Sequence, residues 1–395
     1  MSVAHSPLTD RALRAIGMLA AKGLPTQTVV EEIVHRVVEV VHVEAFFVAA
    51  TDPLSGLCLG AGMAYNLSRD LCHPYWEHEL QVPDYNKFVD LGPGRAVADL
   101  REATGGRLSR SPRFRVLNRI CDLEDELRAV FHAGGRTWGI LQLNRKSGGR
   151  PFSAAERTFV SSVAPLAGKV LRAAALTEPT TPMPDRMPGI LVLGADGKVL
   201  DATTEARAWL EDVAAGWRIY NDGLLLHPEL LNLALAAGEQ RAGLPRRARL
   251  RTRSGLWLTA QVSPLTGSGN VAVMVQPAKA SEMALLLANA YGLTSREIQI
   301  AQLISRGRST DEIAKNLCLS PHTIRDHVKA ILDKVDVTSR GGLTSKLYFE
   351  QHFPLVETAV LGALDRVRVA DSPTEYRRQA GITASRQLST RPIVS

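Results

Sequence analysis

The chain has 395 residues, 47 Lys+Arg against 40 Asp+Glu, and a formal net charge of +7. With 45% hydrophobic and 22% charged residues, wholesale disorder and a fibrous chain are excluded, and the length suggests roughly two to four domains. No window offers the roughly 20 uncharged apolar residues of a membrane span (the closest, Met283–Ser295, contains Asn289), no secretory signal is evident in the first residues, and the four scattered cysteines fit a reducing cytosol.

Along residues 8–176, Thr28 and Glu31 form a capping-box pair that opens an apolar helix to about His42. Glu44–Ala50 and Leu57–Ala64 have strand composition. Leu127–Ala133 and Arg136–Asn144 are strand-like runs joined by Gly134 and Gly135, a turn pair that tolerates positive φ. Ser153 and Glu156 form a second capping box before the helix Ala154–Ala175. This order predicts an α+β unit, an antiparallel sheet flanked by helices. The order of elements, with Asp125–Phe131, Gly135–Leu143 and Pro151–Glu156, resembles a GAF domain. That resemblance implies a small-molecule or dimerising sensor. Cys72, His73 and His78 match no metal-ligand spacing, and Cys58 and Cys121 lack a sequence neighbour that would activate a thiol. No metal, no cofactor and no catalytic residue are therefore expected, and the identity of any ligand-binding residues is left open.

Thr177–Pro188 carries four prolines in twelve residues, so 177–187 reads as a linker. Residues 188–276 then form a smaller α+β unit. Gly189–Leu193 and Lys198–Leu200 flank a turn, Thr204–Asp212 is helical, and Arg246–Arg253, Leu256–Val262 and Asn270–Val275 are strands. The unit resembles a PAS domain, with Thr203 standing where that family often has Asn. Arg249, Arg251 and Arg253 alternate, so a strand sets them on one face. A solvated sheet face is favoured; an anionic ligand, an acidic partner surface and an auxiliary DNA contact are the alternatives. The uncharged run Met283–Tyr291, within 277–292, reads as a helix packed on the preceding sheet, as a connector to the C-terminal unit, or as both.

Residues 293–353 carry the strongest signal. Thr294 and Glu297 form a capping box, Ile298, Ala301 and Ile304 an apolar stripe, and Gly307 a helix stop. Ser309 and Glu312 open a second helix with Ile313, Ala314 and Leu317 inward. After a tight turn at Cys318 and Leu319, Ser320 and Pro321 read as N-cap and first residue of a third helix. Three short helices so joined make a helix-turn-helix. On the third, Ile324, Val328, Ile331, Leu332 and Val335 share one side at about 100° per residue. His322, Arg325, Asp326, Lys329 and Asp333 share the other. Such a helix fits the major groove, where Arg and Lys donate to guanine and Asp can accept from cytosine. Ser320 and Thr323 sit near its start, where hydroxyls and free N–H groups suit a phosphate.

The segment is also similar to the LuxR/FixJ-type helix-turn-helix family. Leu293, Arg296 and Glu297, Gly307, Ser309 with Glu312–Ala314, Leu319 and Ser320, Thr323, Ile324, His327 and Val328, Ile331, Lys334, Val337, and Ser339 with Arg340 fall at its spacing. The resemblance implies an all-α, four-helix DNA-binding domain. Arg325, Asp326 and Lys329 would face bases, Ser320, Thr323, Lys334 and Arg340 would lie near the backbone, and Glu297 would be structural. A fourth helix, Arg340–Glu350, would make the dimer contact through Leu343 and Leu347. Residues 354–395 read as an extension, disordered from about residue 371.

These readings combine into a cytoplasmic, non-enzymatic transcription regulator. Its GAF-like and PAS-like units would sense a ligand or partner, and its C-terminal unit would bind double-stranded promoter DNA as a homodimer. RNA polymerase and an unknown small molecule are further candidate partners, and no membrane partner is expected. The rivals are a GAF-fold enzyme with Cys58 or Cys121 as nucleophile, and a protein-interaction regulator whose helix-turn-helix is non-functional.

Overall fold

The structure is a computed structural model, and it describes residues 6–67, 71–176, 187–194, 198–214, 217–218, 247–252 and 255–348. The proline-rich linker, apart from its last residue, and the C-terminal extension lie outside these residues, as does Arg253.

The chain opens with α1 (Pro7–Met18), whose Ser6 side chain accepts from the Thr9 amide. Next, α2 (Thr26–Val38) starts two residues before the Thr28 capping box expected from sequence, with Pro25 as a cap that makes no side-chain hydrogen bond. Thr28 is thus inside the first turn, where its hydroxyl cannot serve as the cap. Strands β1 (Ala45–Thr51) and β2 (Cys58–Tyr65), α3 (Cys72–Leu80), β3 (Val97–Asp99), the short α4 (Leu100–Ala103), and the long pair β4 (Leu123–Ala133) and β5 (Arg136–Lys146) come next. Gly134 and Gly135, at φ of 59° and 72°, make the β4–β5 turn. The unit closes with α5 (Ala154–Ala174), where Ser153 and Glu156 form the full capping box.

The first sheet runs β3-β4-β5-β1-β2, antiparallel throughout. One face buries Trp138, Leu141 and Phe131 against α1, α2 and α5. The other is covered by α3 and holds Phe47, Cys58, Trp76, Val130 and Ile140. Beside that apolar patch lies a buried charge cluster. Arg113 and Arg128, both 0% exposed, pair with Glu126, Asp84 and Glu79. Tyr75 and Gln142 complete the hydrogen bonds of Arg128. Two guanidinium groups hold the Glu126 carboxyl at about 2 against burial, which acts the other way.

The second sheet comprises β6 (Gly189–Leu193), β7 (Val199–Ala202), β9 (Arg247–Arg251), β10 (Trp257–Pro264) and β11 (Val271–Pro277), in the antiparallel order β7-β6-β11-β10-β9. Helix α6 (Thr204–Ala214) packs on it through Ala206, Trp209, Leu210 and Val213. The Thr203 hydroxyl accepts from the amides of Ile190 and Ala206, tying the helix start to β6. The two units interlock. Strand β8 (Trp217–Arg218) extends the first sheet, pairing parallel to β2, and Leu57 of the first unit lies in the second unit's core.

The arginine run of β9 is therefore no solvated face. Arg249 pairs with Asp52 of the first unit. Arg251, 4% exposed, lies 4.9 Å over the Trp257 ring and donates to Thr26 Oγ1 and the Ala174 carbonyl. Burial lowers its pKa to about 10. β9 packs on β2 of the first unit, and that contact takes Arg249 and Arg251 largely out of water while Arg247 stays exposed.

The remaining helices are the connector α7 (Ala280–Ala290), then α8 (Ser295–Ser305), α9 (Thr310–Leu317), α10 (Pro321–Val335) and α11 (Arg340–Tyr348). Met283, Leu286, Leu287 and Ala288 of α7 share one continuous core with α5 of the first unit and with α8–α11. Buried nearly all round, α7 has the composition of a core helix.

Candidate nucleic-acid interface

Helices α8, α9 and α10 start and stop where local chemistry requires. Thr294–Glu297 and Ser309–Glu312 are complete capping boxes. Gly307, at φ 76°, closes α8: its amide reaches the Ile304 carbonyl and the Arg308 amide the Leu303 carbonyl. Helix α9 ends on Cys318 in the left-handed region (φ 53°), and the Leu319 amide bonds to the Ala314 carbonyl. That turn aims α10 across the first two helices. Ser320 Oγ accepts from the Thr323 amide at 3.0 Å and lies 2.8 Å from the Thr323 hydroxyl, with Pro321 fixing the first turn.

Ile324, Val328, Ile331 and Val335 of α10 are buried, and Leu332 is partly so. They seat α10 on α8 and α9. His322, Arg325, Asp326, Lys329 and Asp333 are exposed on the opposite side. Arg325 and Lys329, one turn apart, have no ion-pair or hydrogen-bond partner among the described residues, whereas His322 Nε2 lies 3.7 Å from Asp326 Oδ2. A shallow groove runs along this face, lined by Arg325, Lys329, Asp333, Val337, Thr338 and Arg340.

Lys334 and Arg340 are placed differently from the free cations. Lys334 Nζ donates to both Glu297 oxygens, at 2.8 and 2.7 Å, clamping α10 to α8. Burial opposes ionisation of Glu297, but the Lys334 bond and the Thr294 cap outweigh it and hold the carboxyl below its ordinary range. Glu297 thus both caps its own helix and pairs across the unit. Arg340 Nη2 donates to Thr310 Oγ1 at 2.6 Å, bracing the start of α11 against α9. Leu343 and Leu347 are 1% and 3% exposed, because α11 packs on α7 and α8 within the same chain.

An outward helix with a free cationic edge, held on two capped helices, defines a helix-turn-helix unit of the DNA-binding type. Residues 292–347 match the family of bacterial regulatory proteins known as the luxR family. The C-terminal unit is a luxR-family helix-turn-helix domain. It is 36% identical over 55 residues to the transcriptional regulatory protein DesR of Bacillus subtilis (strain 168), a match covering 14% of this chain and 28% of DesR. The chain therefore spans under a third of that relative's length. Escherichia coli SdiA is similar at 10% identity, covering 85% of this chain and 95% of that one, with a TM-score of 0.32. The GAF domain of an Acinetobacter phosphoenolpyruvate-protein phosphotransferase is similar at 15% identity, covering 43% of this chain and 95% of that one, with a TM-score of 0.30. Structural likeness at these scores fixes neither fold nor ligand.

Proposed function

We propose that the chain is a DNA-binding transcription regulator whose helix α10 enters the major groove of double-stranded promoter DNA. Arg325, Asp326, Lys329 and His322 face base edges, and Ser320 and Thr323 meet the backbone. The observation that carries this reading is the pair Arg325 and Lys329, exposed and without a partner among the described residues, on a helix whose inner side is locked into a capped three-helix unit. Lys334 and Arg340 act mainly as braces, with Arg340 still at the rim of the groove. The segment 293–353 carries nine Lys/Arg against seven Asp/Glu, so affinity per copy is modest and salt-sensitive, and a homodimer on a two-fold site doubles the contact set. The GAF-like unit 8–176 and the PAS-like unit 188–276 sense a ligand or partner, and the protein works in the cytoplasm, where promoter DNA and RNA polymerase are.

An enzyme reading has less support. Cys58 is 1% exposed among Phe47, Trp76 and Val130, a setting that suits a packing thiol. Selection of bound duplexes from a random pool tests the proposal. The full chain should enrich a two-fold symmetric motif with half-sites about one helical turn apart. A pool that stays random after repeated rounds would remove it.

A further inference from the structure

The arginine run of β9 meets two distant parts of the chain at one point. Arg249 donates through Nε and Nη2 to the two carboxylate oxygens of Asp52, at 2.8–3.0 Å. Its Nη1 donates to the main-chain carbonyl of Glu282 at 2.8 Å. Asp52, with its side chain 2% exposed, lies in the turn between β1 and β2 of the first unit. Glu282 is in the first turn of the connector α7. Its carboxylate is held too, by Arg247 Nη1 at 2.7 Å, the Thr259 hydroxyl at 2.8 Å and the Lys279 amide at 2.9 Å. One guanidinium therefore joins the first unit, the second sheet and the connector.

Only a planar fork does this. Two of its N–H edges match a carboxylate while a third stays free for a carbonyl, and an ammonium offers no such geometry. The far end of the connector carries the consequence. Helix α11 packs on α7, with Leu343 and Leu347 buried, and Lys346 Nζ stands 5.6 Å from the Tyr291 ring just past the connector's end. The joint fixes the start of α7, and α7 in turn covers the face of the helix expected to receive a second copy.

We propose that Arg249 is a latch between the sensor units and the DNA-binding unit: with Asp52 and Glu282 both held, the connector keeps α11 covered, and a signal that moves the Asp52 turn uncovers it. The functional half rests on the reading of the C-terminal unit as a dimeric DNA binder. The latch itself does not, and the two can be tested apart.

The test uses the full chain as wild type, Arg249→Lys, Asp52→Asn, both together, and the swap Asp52→Arg with Arg249→Asp. Hydrogen exchange of residues 281–290 and 340–348 is read without DNA. Arg249→Lys and Asp52→Asn should each speed exchange there about ten-fold, and the second change should add nothing to the first. Among the described residues Asp52 has no hydrogen bond or ion pair to α7 except through Arg249, so additivity, or wild-type exchange in Asp52→Asn, would overturn the latch. The swap should recover the wild-type thermal midpoint by restoring the ion pair, yet keep the fast exchange, because an aspartate at 249 has no N–H for the Glu282 carbonyl. Slow exchange in the swap would show an ordinary docking contact instead. On a selected two-fold duplex, Arg249→Lys should bind about five-fold tighter or more. Unchanged or weaker binding alongside faster exchange would overturn the covering role alone.

Discussion

In the first unit, Arg113 and Arg128 are fully enclosed, with Glu126, Glu79 and Asp84 gathered around them. In the C-terminal unit, Arg325 and Lys329 stand outside, with no carboxylate drawn to them among the described residues. A buried guanidinium demands partners inside the fold, because an uncompensated charge in a low dielectric costs several kcal/mol. An exposed one has no such demand, so its chemistry stays available to a partner from outside. The degree of pairing separates arginines that hold the chain together from arginines left available to a partner. Lys334 falls between the two: it lies on α10 yet is bound to Glu297.

The comparison breaks most sharply at Glu126. Glu126→Gln leaves two buried guanidinium groups short of charge and should cost about 3–5 kcal/mol by urea unfolding, while DNA affinity of the folded protein stays at the wild-type level. Acid should act by the same route. The carboxyl sits at about 2 in the fold and 4.5 is its ordinary value, so its stabilisation is present in full above 4.5 and is lost as pH falls towards 2. The variant's stability should be flatter across that window.

Arg325→Ala reverses the pattern. It should weaken binding to a selected duplex by about 1–3 kcal/mol and relax preference at one base position, with unfolding free energy within about 0.5 kcal/mol of wild type. Ser320→Ala removes the cap of α10 and should lower the stability of the C-terminal unit by about 1 kcal/mol, read by hydrogen exchange in 321–335. The smallest effect places the intermediate case. Lys329→Ala should reduce the slope of log affinity against log salt by about one. Lys334→Ala should leave that slope unchanged and cost at most about 1 kcal/mol of stability. A slope change for Lys334 would show that it leaves Glu297 for a phosphate.

What the sequence disclosed was whatever is decided within a few residues. The capping boxes at Ser153, Thr294 and Ser309, the Ser320–Pro321 start and the Gly134–Gly135 turn all lie where local rules put them. The outward set on α10 came from helical period alone. Helix α1 went unread although its Ser6–Pro7 start has the same signature as Ser320–Pro321. The start of α2 shifted because Thr28 and Glu31 satisfy the box pattern without performing it. Features made by distant residues were hidden. Asp52 and Arg249 are 197 positions apart, so the run of arginines read as solvated. Glu79 and Arg128 come from a helix and a strand 49 positions apart. The partners of Lys334 and Leu343 depend on how α8 and α7 pack, which no local pattern states.

The central claim is tested most directly by titrating one selected duplex with the full chain as wild type and as the double variant Arg325→Ala with Lys329→Ala, at one salt concentration, alongside thermal melting of both. The account predicts that the double variant binds that duplex no better than an unrelated one and melts at the wild-type temperature. Retention of wild-type affinity for the selected duplex by a folded double variant would contradict it.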